Sequence, residues 1–325
     1  MDKHSIHSSS LIFDAHCDTL LAVLAGKRRL TERSTEGNAD VPRLLAGGVT
    51  AQVFAVFVEP EWRWRATVQA LRSIDAFHEA VAASQGRLRL ATCAADIEAA
   101  KVAGAVAGAL SLEGAEPLDG DLGVLRVFHR LGVRGVGLTW NHRNQAADGV
   151  AESCTGGGLT EFGVSLVKEL NRLGMWIDVA HLSPQGMVDV LAISEAPVVA
   201  SHANAYALCP QPRNLTDGQL KAIAASGGVV GAVFYRGFIA ENPAEATLDR
   251  LVDHLDHMVS VMGIDHVGLG SDFDGFGDEL APVGLEDVTC LPHLTDRLAD
   301  RGYRAGDIRK ILGANFLRVF RQVVG

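Results

Sequence analysis

The sequence predicts a (β/α)8 TIM-type barrel, an α/β fold of a single domain with a metal site at the carboxyl ends of its strands. Three observations carry this. Short apolar runs recur eight times, segments of helical period lie between them, and clusters of metal-ligating side chains close several of the runs. Strands of a parallel sheet are covered on both faces, so they read as continuous apolar runs instead of alternating ones.

In chain order, a short polar N-terminal tail (1–10) precedes the first run, 11–16, and the second is 50–58. A helical pattern over 64–84 leads to the third run, 105–112, and another over 122–131 leads to the fourth, 135–140. The fifth to eighth runs are 175–180, 197–201, 229–234 and 267–270, with helical segments at 161–173, 184–193, 217–225 and 248–262. Thr160, Ser183 and Thr216 stand where an N-cap oxygen is needed, and Gly132, Gly174, Gly227 and Gly263 stand where a chain leaves a helix through the left-handed region. One amphipathic helix over 307–324 ends the chain. No GxGxxG turn follows any run, which favours the barrel over an open doubly wound sheet. No repeat or linker divides 11–325, so that span reads as one barrel.

Composition narrows the function. The chain has 325 residues, of which 48% are hydrophobic and 21% charged, which excludes a largely disordered, collagen-like or coiled-coil protein. With 29 basic against 39 acidic residues the net charge is −10, the wrong sign for a reader of phosphate backbones, so no nucleic acid is expected as a partner. Five cysteines, odd in number and without CxxC spacing, indicate neither a disulfide framework nor a cysteine zinc knot. The apolar segments are too short to span a bilayer and the start lacks the features of a signal peptide, so the protein is expected in the cytoplasm with no membrane partner.

The chemistry gathers at strand ends. The first strand closes in Asp14-Ala15-His16-Cys17-Asp18, the third in Ser111-Leu112-Glu113-Gly114, and the fifth in Asp178-Val179-Ala180-His181. The sixth closes in Ser201-His202 and the eighth in Gly270-Ser271-Asp272-Phe273-Asp274-Gly275. In a parallel barrel these ends converge on one mouth. His16 and Asp18 are two apart on a strand and point to one side, so they can share a metal ion. With Glu113, His181, His202 and Asp272 they make a set of imidazoles and carboxylates without thiolate, which suits zinc best, with manganese or cobalt as substitutes. Six candidate ligands exceed the need of one tetrahedral ion, whereas two zinc ions about 3.5–4 Å apart, joined by a carboxylate and a hydroxide, would use them all. Glu113 is placed to be that bridge, because its strand lies between the first and the two histidine-bearing strands. His4, His7, His78, His129, His254, His257, His266 and His293 are assigned solvated or structural roles, and Trp62 and Trp64 either roof the mouth or seat the following helix.

These motifs, together with Leu138-Thr139-Trp140-Asn141 and Arg213-Asn214, resemble in order the renal (membrane) dipeptidase family of zinc peptidases, from about Leu11 to about Phe320. The resemblance implies a metal-dependent hydrolase that cleaves dipeptides, including those with a C-terminal D-residue, by attack of a hydroxide held between two zinc ions. It implies that His16 and Asp18 bind the first zinc, that Glu113 bridges, and that His181 and His202 bind the second. Asp272 then handles the proton, and Arg213 clamps the terminal carboxylate of the substrate. Family members place a substrate-contacting histidine after Leu-Thr on the fourth strand; the direct alignment puts Trp140 there, and His142, two residues on, is the alternative. The signal peptide and C-terminal anchor of membrane-bound relatives have no counterpart, so a soluble bacterial-type member is expected, and a homodimer is common among relatives. The competing readings are a barrel amidohydrolase of other specificity, such as a deaminase or lactonase, and a catalytically silent metal-binding barrel.

Overall fold

The computed structural model describes residues 3–325. Nine strands form: β1 (Ile12–Cys17), β2 (Val49–Phe57), β3 (Leu88–Leu90), β4 (Val106–Glu113), β5 (Val133–Gly137), β6 (Trp176–Asp178), β7 (Val199–Ala200), β8 (Val229–Ala232) and β9 (Val267–Leu269). Eight of them close a parallel ring in the order β1, β2, β4, β5, β6, β7, β8, β9 and back to β1, with β2 and β4 paired from Ala51–Phe57 against Ala107–Glu113. Closure excludes the open doubly wound sheet. The ring strands are the eight expected ones. The ninth, β3, was not anticipated, because three residues with Arg89 in the middle give no apolar run. It pairs with the first half of β4, at Val106–Gly108, on the flank whose second half, Leu110–Glu113, is taken by β5.

The helices follow the sequence closely where caps define them. Thr160, Ser183 and Thr216 each accept the backbone N–H three residues on, from Gly163, Gly186 and Gln219, opening helices Glu161–Leu173, Pro184–Ile193 and Asp217–Ala225. Three expectations are corrected. The segment expected as a helix from 64 is a 3-10 turn at Pro60–Arg65, and the α-helix proper runs Ala66–Ala83. The C-terminal helix is interrupted by a π turn at Lys310–Ala314 between Ala305–Arg309 and Asn315–Val323. The expected polar tail holds a helix, Lys3–Ser9, with Ile6 and His7 buried. His7 bonds Thr295 Oγ1 through Nδ1 (2.7 Å) and the Gly47 carbonyl through Nε2 (3.0 Å). Among the described residues no helix is long and apolar enough to cross a membrane.

The lumen is filled from below. Alternation along β2 and β4 turns Ala51, Val53, Ala107 and Ala109 inward, where they meet Phe13, Trp176 and the C-terminal helix residues Phe316 and Phe320. Phe316 packs 5.6 Å from Phe13 and Phe320 packs 5.6 Å from Trp176, centroid to centroid. The space for Trp176 exists because residue 135 is glycine; a Cβ there would strike the indole. Large rings thus occupy the base, small residues line the wall beside them, and the opposite end of the lumen is left for polar groups.

Removing one of these rings leaves a cavity at the base. Phe316→Ala is expected to lower the unfolding free energy by about 3–5 kcal/mol in urea titration. A variant as stable as the parent would show that the C-terminal helix does not brace the barrel.

Candidate metal and substrate site

The same alternation that turns Ala107 and Ala109 inward carries Ser111 and then Glu113 up the lumen, so Glu113 ends β4 at the mouth. On β1 the Asp14 carboxylate accepts the Ser271 backbone N–H (2.8 Å) and hydroxyl (2.6 Å), fastening β1 to the chain after β9. Above it the β1–β2 register shifts between Asp14 and Cys17, and His16 and Asp18 face one another with Nε2 and Oδ2 3.2 Å apart. The expected sharing of one side by this pair is therefore realised, although Asp18 lies past the strand, at the start of helix Thr19–Leu24.

Across the ring, Asp178 at the end of β6 accepts the backbone N–H groups of Ala180 and Ser201, both at 2.9 Å, which ties the turn bearing His181 to the one bearing His202. His181 itself adopts a left-handed φ of 65°. Its Nδ1 meets Asn141 Oδ1 at 2.8 Å, and His202 Nδ1 meets Ser201 Oγ at 2.8 Å. With Nδ1 of each ring so engaged, the two Nε2 atoms face each other at 2.8 Å. Glu113 reaches both halves of the cluster: Oε2 lies 3.4 Å from His16 Nε2, and Oε1 lies 3.0 Å from His181 Nε2 and 4.0 Å from His202 Nε2.

The electrostatics of this cluster call for cations. Burial holds the His181 imidazole down to about 4, aided by the Arg213 charge, and holds His202 well below its ordinary value, so both rings present neutral nitrogens at pH 7. Burial, with the Glu113 charge added, pushes Asp18 up to about 6, and burial lifts Asp272 well above the carboxylate range. Burial opposes charge on His16, but the Glu113 and Asp18 carboxylates outweigh it and raise its pKa well above normal. Buried like charges of this kind persist where a cation compensates them. Asp18 Oδ1 is moreover buried without a hydrogen-bond partner. Two donor sets, His16–Asp18–Glu113 and Glu113–His181–His202, have their ligand atoms within 4.8 Å of one another and share Glu113. A third, His16–Asp178–His202, involves a carboxylate oxygen beneath the same histidines. The residues thus fit metal ions held by nitrogen and oxygen.

Above the cluster lies a cavity of about 340 Å³. Asp18, Glu113, His181 and Asp272 line it, with Arg213, Tyr235, Phe238, Leu21, Phe57 and Trp140. Asp272 Oδ1 is 3.8 Å from His16 Nε2, and Gly275 lets the turn fold over both acids, since a Cβ there would strike the carboxylates of Asp272 and Asp18. Arg213 is buried, donates from Nη2 to the His202 carbonyl (3.3 Å), sits 5.6 Å over the Phe238 ring, and keeps a buried Nε without a partner. Burial lowers it to about 10, which leaves it charged at neutral pH.

Of the residues singled out in the sequence, eight converge here and one does not. His142 does not line the cavity: its ring is half exposed and lies 3.6 Å from the Glu152 carboxylate, in the turn beyond β5. Trp140 does line it, between Phe57 (5.4 Å) and His181 (6.1 Å). Sequence reasoning gave no role to Asn141, Asp178 or Ser201, which orient the histidines; their only signal was adjacency to ligand-bearing motifs. Phe57, Tyr235 and Phe238 carried no signal at all.

The family model described as membrane dipeptidase (peptidase family M19) matches residues 1–324. An uncharacterized dipeptidase of Schizosaccharomyces pombe is 37% identical over 335 residues, covering 96% of this chain and 80% of that protein. Among solved structures, a metallopeptidase described as dipeptidase AC superposes with a TM-score of 0.92 at 35% identity, covering 98% of this chain and 99% of that one. A metallopeptidase from Rhodobacter sphaeroides, liganded with a phosphinate mimic of the dipeptide L-Ala-D-Ala, has a TM-score of 0.91 at 33% identity, covering 97% and 100%.

Because Glu113 belongs to both donor sets, Glu113→Gln is expected to lower the bound divalent metal more than Asp18→Asn, measured by elemental analysis after dialysis. Equal retention in the two variants would show that Glu113 serves only one set.

Proposed function

The chain belongs to the membrane dipeptidase family of metallopeptidases, and from that premise we propose that it hydrolyses the peptide bond of free dipeptides, including those with a C-terminal D-residue, at a two-zinc site in the barrel mouth. The observation that carries the reading is a buried, charged arginine with an unpartnered Nε, facing across one cavity a cluster of three carboxylates and three imidazoles. The dipeptide mimic bound to the Rhodobacter sphaeroides relative supports the substrate class and the D-residue.

His16, Asp18 and Glu113 would hold one zinc ion, and Glu113, His181 and His202 the other. Zinc bound there supplies a water nucleophile ionised near neutral pH and a Lewis acid for the scissile carbonyl. The rest falls to this chain's side chains. Arg213 offers a planar fork to the substrate's terminal carboxylate in two parallel hydrogen bonds, which limits the substrate to one residue beyond the scissile bond. In the ring order, the β7–β8 side that carries Arg213 is opposite the β2–β4 side, so the N-terminal residue lies toward Phe57 at the end of β2, against which Trp140 packs. There the indole of Trp140 stands in place of an imidazole and makes that wall apolar. Tyr235 and Phe238 line the cavity beside the carboxylate clamp, and the Phe238 ring lies under the guanidinium. Asp272, which lines the cavity 3.8 Å from His16 Nε2, accepts the proton of the attacking water and returns it to the departing amine. Five free cysteines, Cys17 and Cys209 among them buried, fit a reducing cytoplasm.

Asp272→Asn is expected to retain zinc, close to two ions per chain by elemental analysis, while kcat falls roughly 10²–10⁴-fold, the contribution of a positioned acid–base group. Loss of zinc from the variant would make Asp272 chiefly a ligand. Dipeptides should be cleaved far better than their C-terminal amides, and Arg213→Ala should shrink that preference by roughly one to two orders of magnitude, the equivalent of about 1.5–3 kcal/mol for a charged hydrogen bond. A preference that survives the substitution would place the carboxylate elsewhere.

A further inference from the structure

The turn that carries Asp272 is held in an unfavourable shape. Asp272 and Asp274 both have left-handed backbones, with φ of 64° and 68°. Residues with a Cβ adopt that region at a cost and stay there only where neighbouring contacts hold them. Asp274 supplies such contacts on the side of the turn away from the active cavity. Its Oδ1 accepts the Asn38 backbone N–H at 2.6 Å, its Oδ2 accepts the Thr19 hydroxyl at 2.5 Å, and Arg28 Nη2 lies 2.5 Å from the same Oδ2. Its own backbone N–H donates to Asn38 Oδ1 at 3.0 Å. The Arg28 and Asp274 side chains are only 6% and 4% exposed, and Arg28 is itself fixed by a 2.6 Å bond from Nη1 to the Ala39 carbonyl.

The positions joined are telling. Thr19 directly follows Asp18, and Asp274 stands two residues after Asp272, so one carboxylate ties together the two turns that present both acids to the cavity. Asp274 does not line that cavity; with Arg28 it borders a separate polar one of about 240 Å³. A buried ion pair adds little net stability over a well-packed apolar pair, so geometry is the better account of its presence in this turn.

We propose that Asp274, clamped by Arg28 and Thr19, is a positioning residue for the hydrolysis: it fixes the separation and direction of the Asp18 and Asp272 carboxylates without touching substrate. The inference rests on the reading of Asp272 as the group that takes up and returns the proton. It makes Arg28, on a segment with no motif of its own, part of the machinery that sets the turnover rate.

The test uses the zinc-loaded enzyme and the variants Asp274→Asn, Arg28→Ala, Thr19→Val and the pair Arg28→Ala with Asp274→Asn. A displacement of about 1 Å in a reacting group lowers rates up to about 10²-fold, so Asp274→Asn and Arg28→Ala should lose roughly 10–100-fold in kcat with KM within about threefold of the parent. Thr19→Val should move kcat the same way by less. The double variant should fall no further than the worse single, as residues acting as one unit do. Zinc content by elemental analysis should match the parent throughout. A lowered melting temperature with unchanged kcat, a multiplicative loss in the double variant, or a kcat restored to the parent's by excess zinc would each overturn the proposal. If the Asp274 variants do not fold, unchanged kcat in Thr19→Val overturns it. Asp272→Asn separates the two readings: an active Asp272→Asn enzyme sinks the proton role, whereas an inactive one beside a fully active Asp274→Asn sinks the latch alone.

Discussion

The lumen of an eight-stranded barrel is just wide enough to be filled by its own side chains, and this limit governs the rest of the molecule. Four large rings, Phe13, Trp176, Phe316 and Phe320, take the base, which obliges the wall at that level to be Ala51, Ala107, Ala109 and Gly135. What remains at the other end is a narrow space lined by the strand ends and the turns that follow them. Polar side chains placed there cannot be solvated individually, so they are held by one another, by backbone N–H groups, and by whatever cations they attract.

The support beneath the cluster follows from the burial of its polar groups. Asp14 and Asp178 each accept a backbone N–H from the next strand connection, Ser271 and Ser201 respectively, so two buried carboxylates act as rivets between neighbouring turns. Burial raises the pKa of both. Their neighbours then set the rings: Ser201 engages His202, while Asn141 reaches from beyond β5 to engage His181. The Nε2 lone pairs are therefore aimed before any metal arrives, which lowers the reorganisation that binding demands. Glu113, with one oxygen toward each half, belongs to both donor sets.

The cavity above inherits an asymmetry from the strand order. Its cationic side is built from the connection after β7, where Arg213 lies over Phe238, and its apolar side from the ends of β2 and β5, where Phe57 and Trp140 pack at a tilt. The two sides are linked by the floor of acids and imidazoles. An anionic end matches the cationic side and an amide centre matches the floor of acids and imidazoles, and a free dipeptide carries both.

Much of this was determined by the sequence itself. Continuous apolar runs specify buried parallel strands because no other placement covers both faces, and the N-caps at Thr160, Ser183 and Thr216 mark helix starts because the bonds they make are local. Strand-end clustering likewise brought His16, Asp18, Glu113, His181, His202 and Asp272 together on paper, since a parallel barrel has only one mouth. The tertiary structure decided what depends on the path of the chain after each strand: that Trp140 faces the cavity while His142 turns out to Glu152, and that Lys3–Ser9 coils against the body. It also decided the contact between Thr19 and Asp274, 255 positions apart. Local patterns encode burial and capping, whereas contacts between loops far apart in sequence are set by how the ring closes and how its turns pack, and no run of residues records that angle.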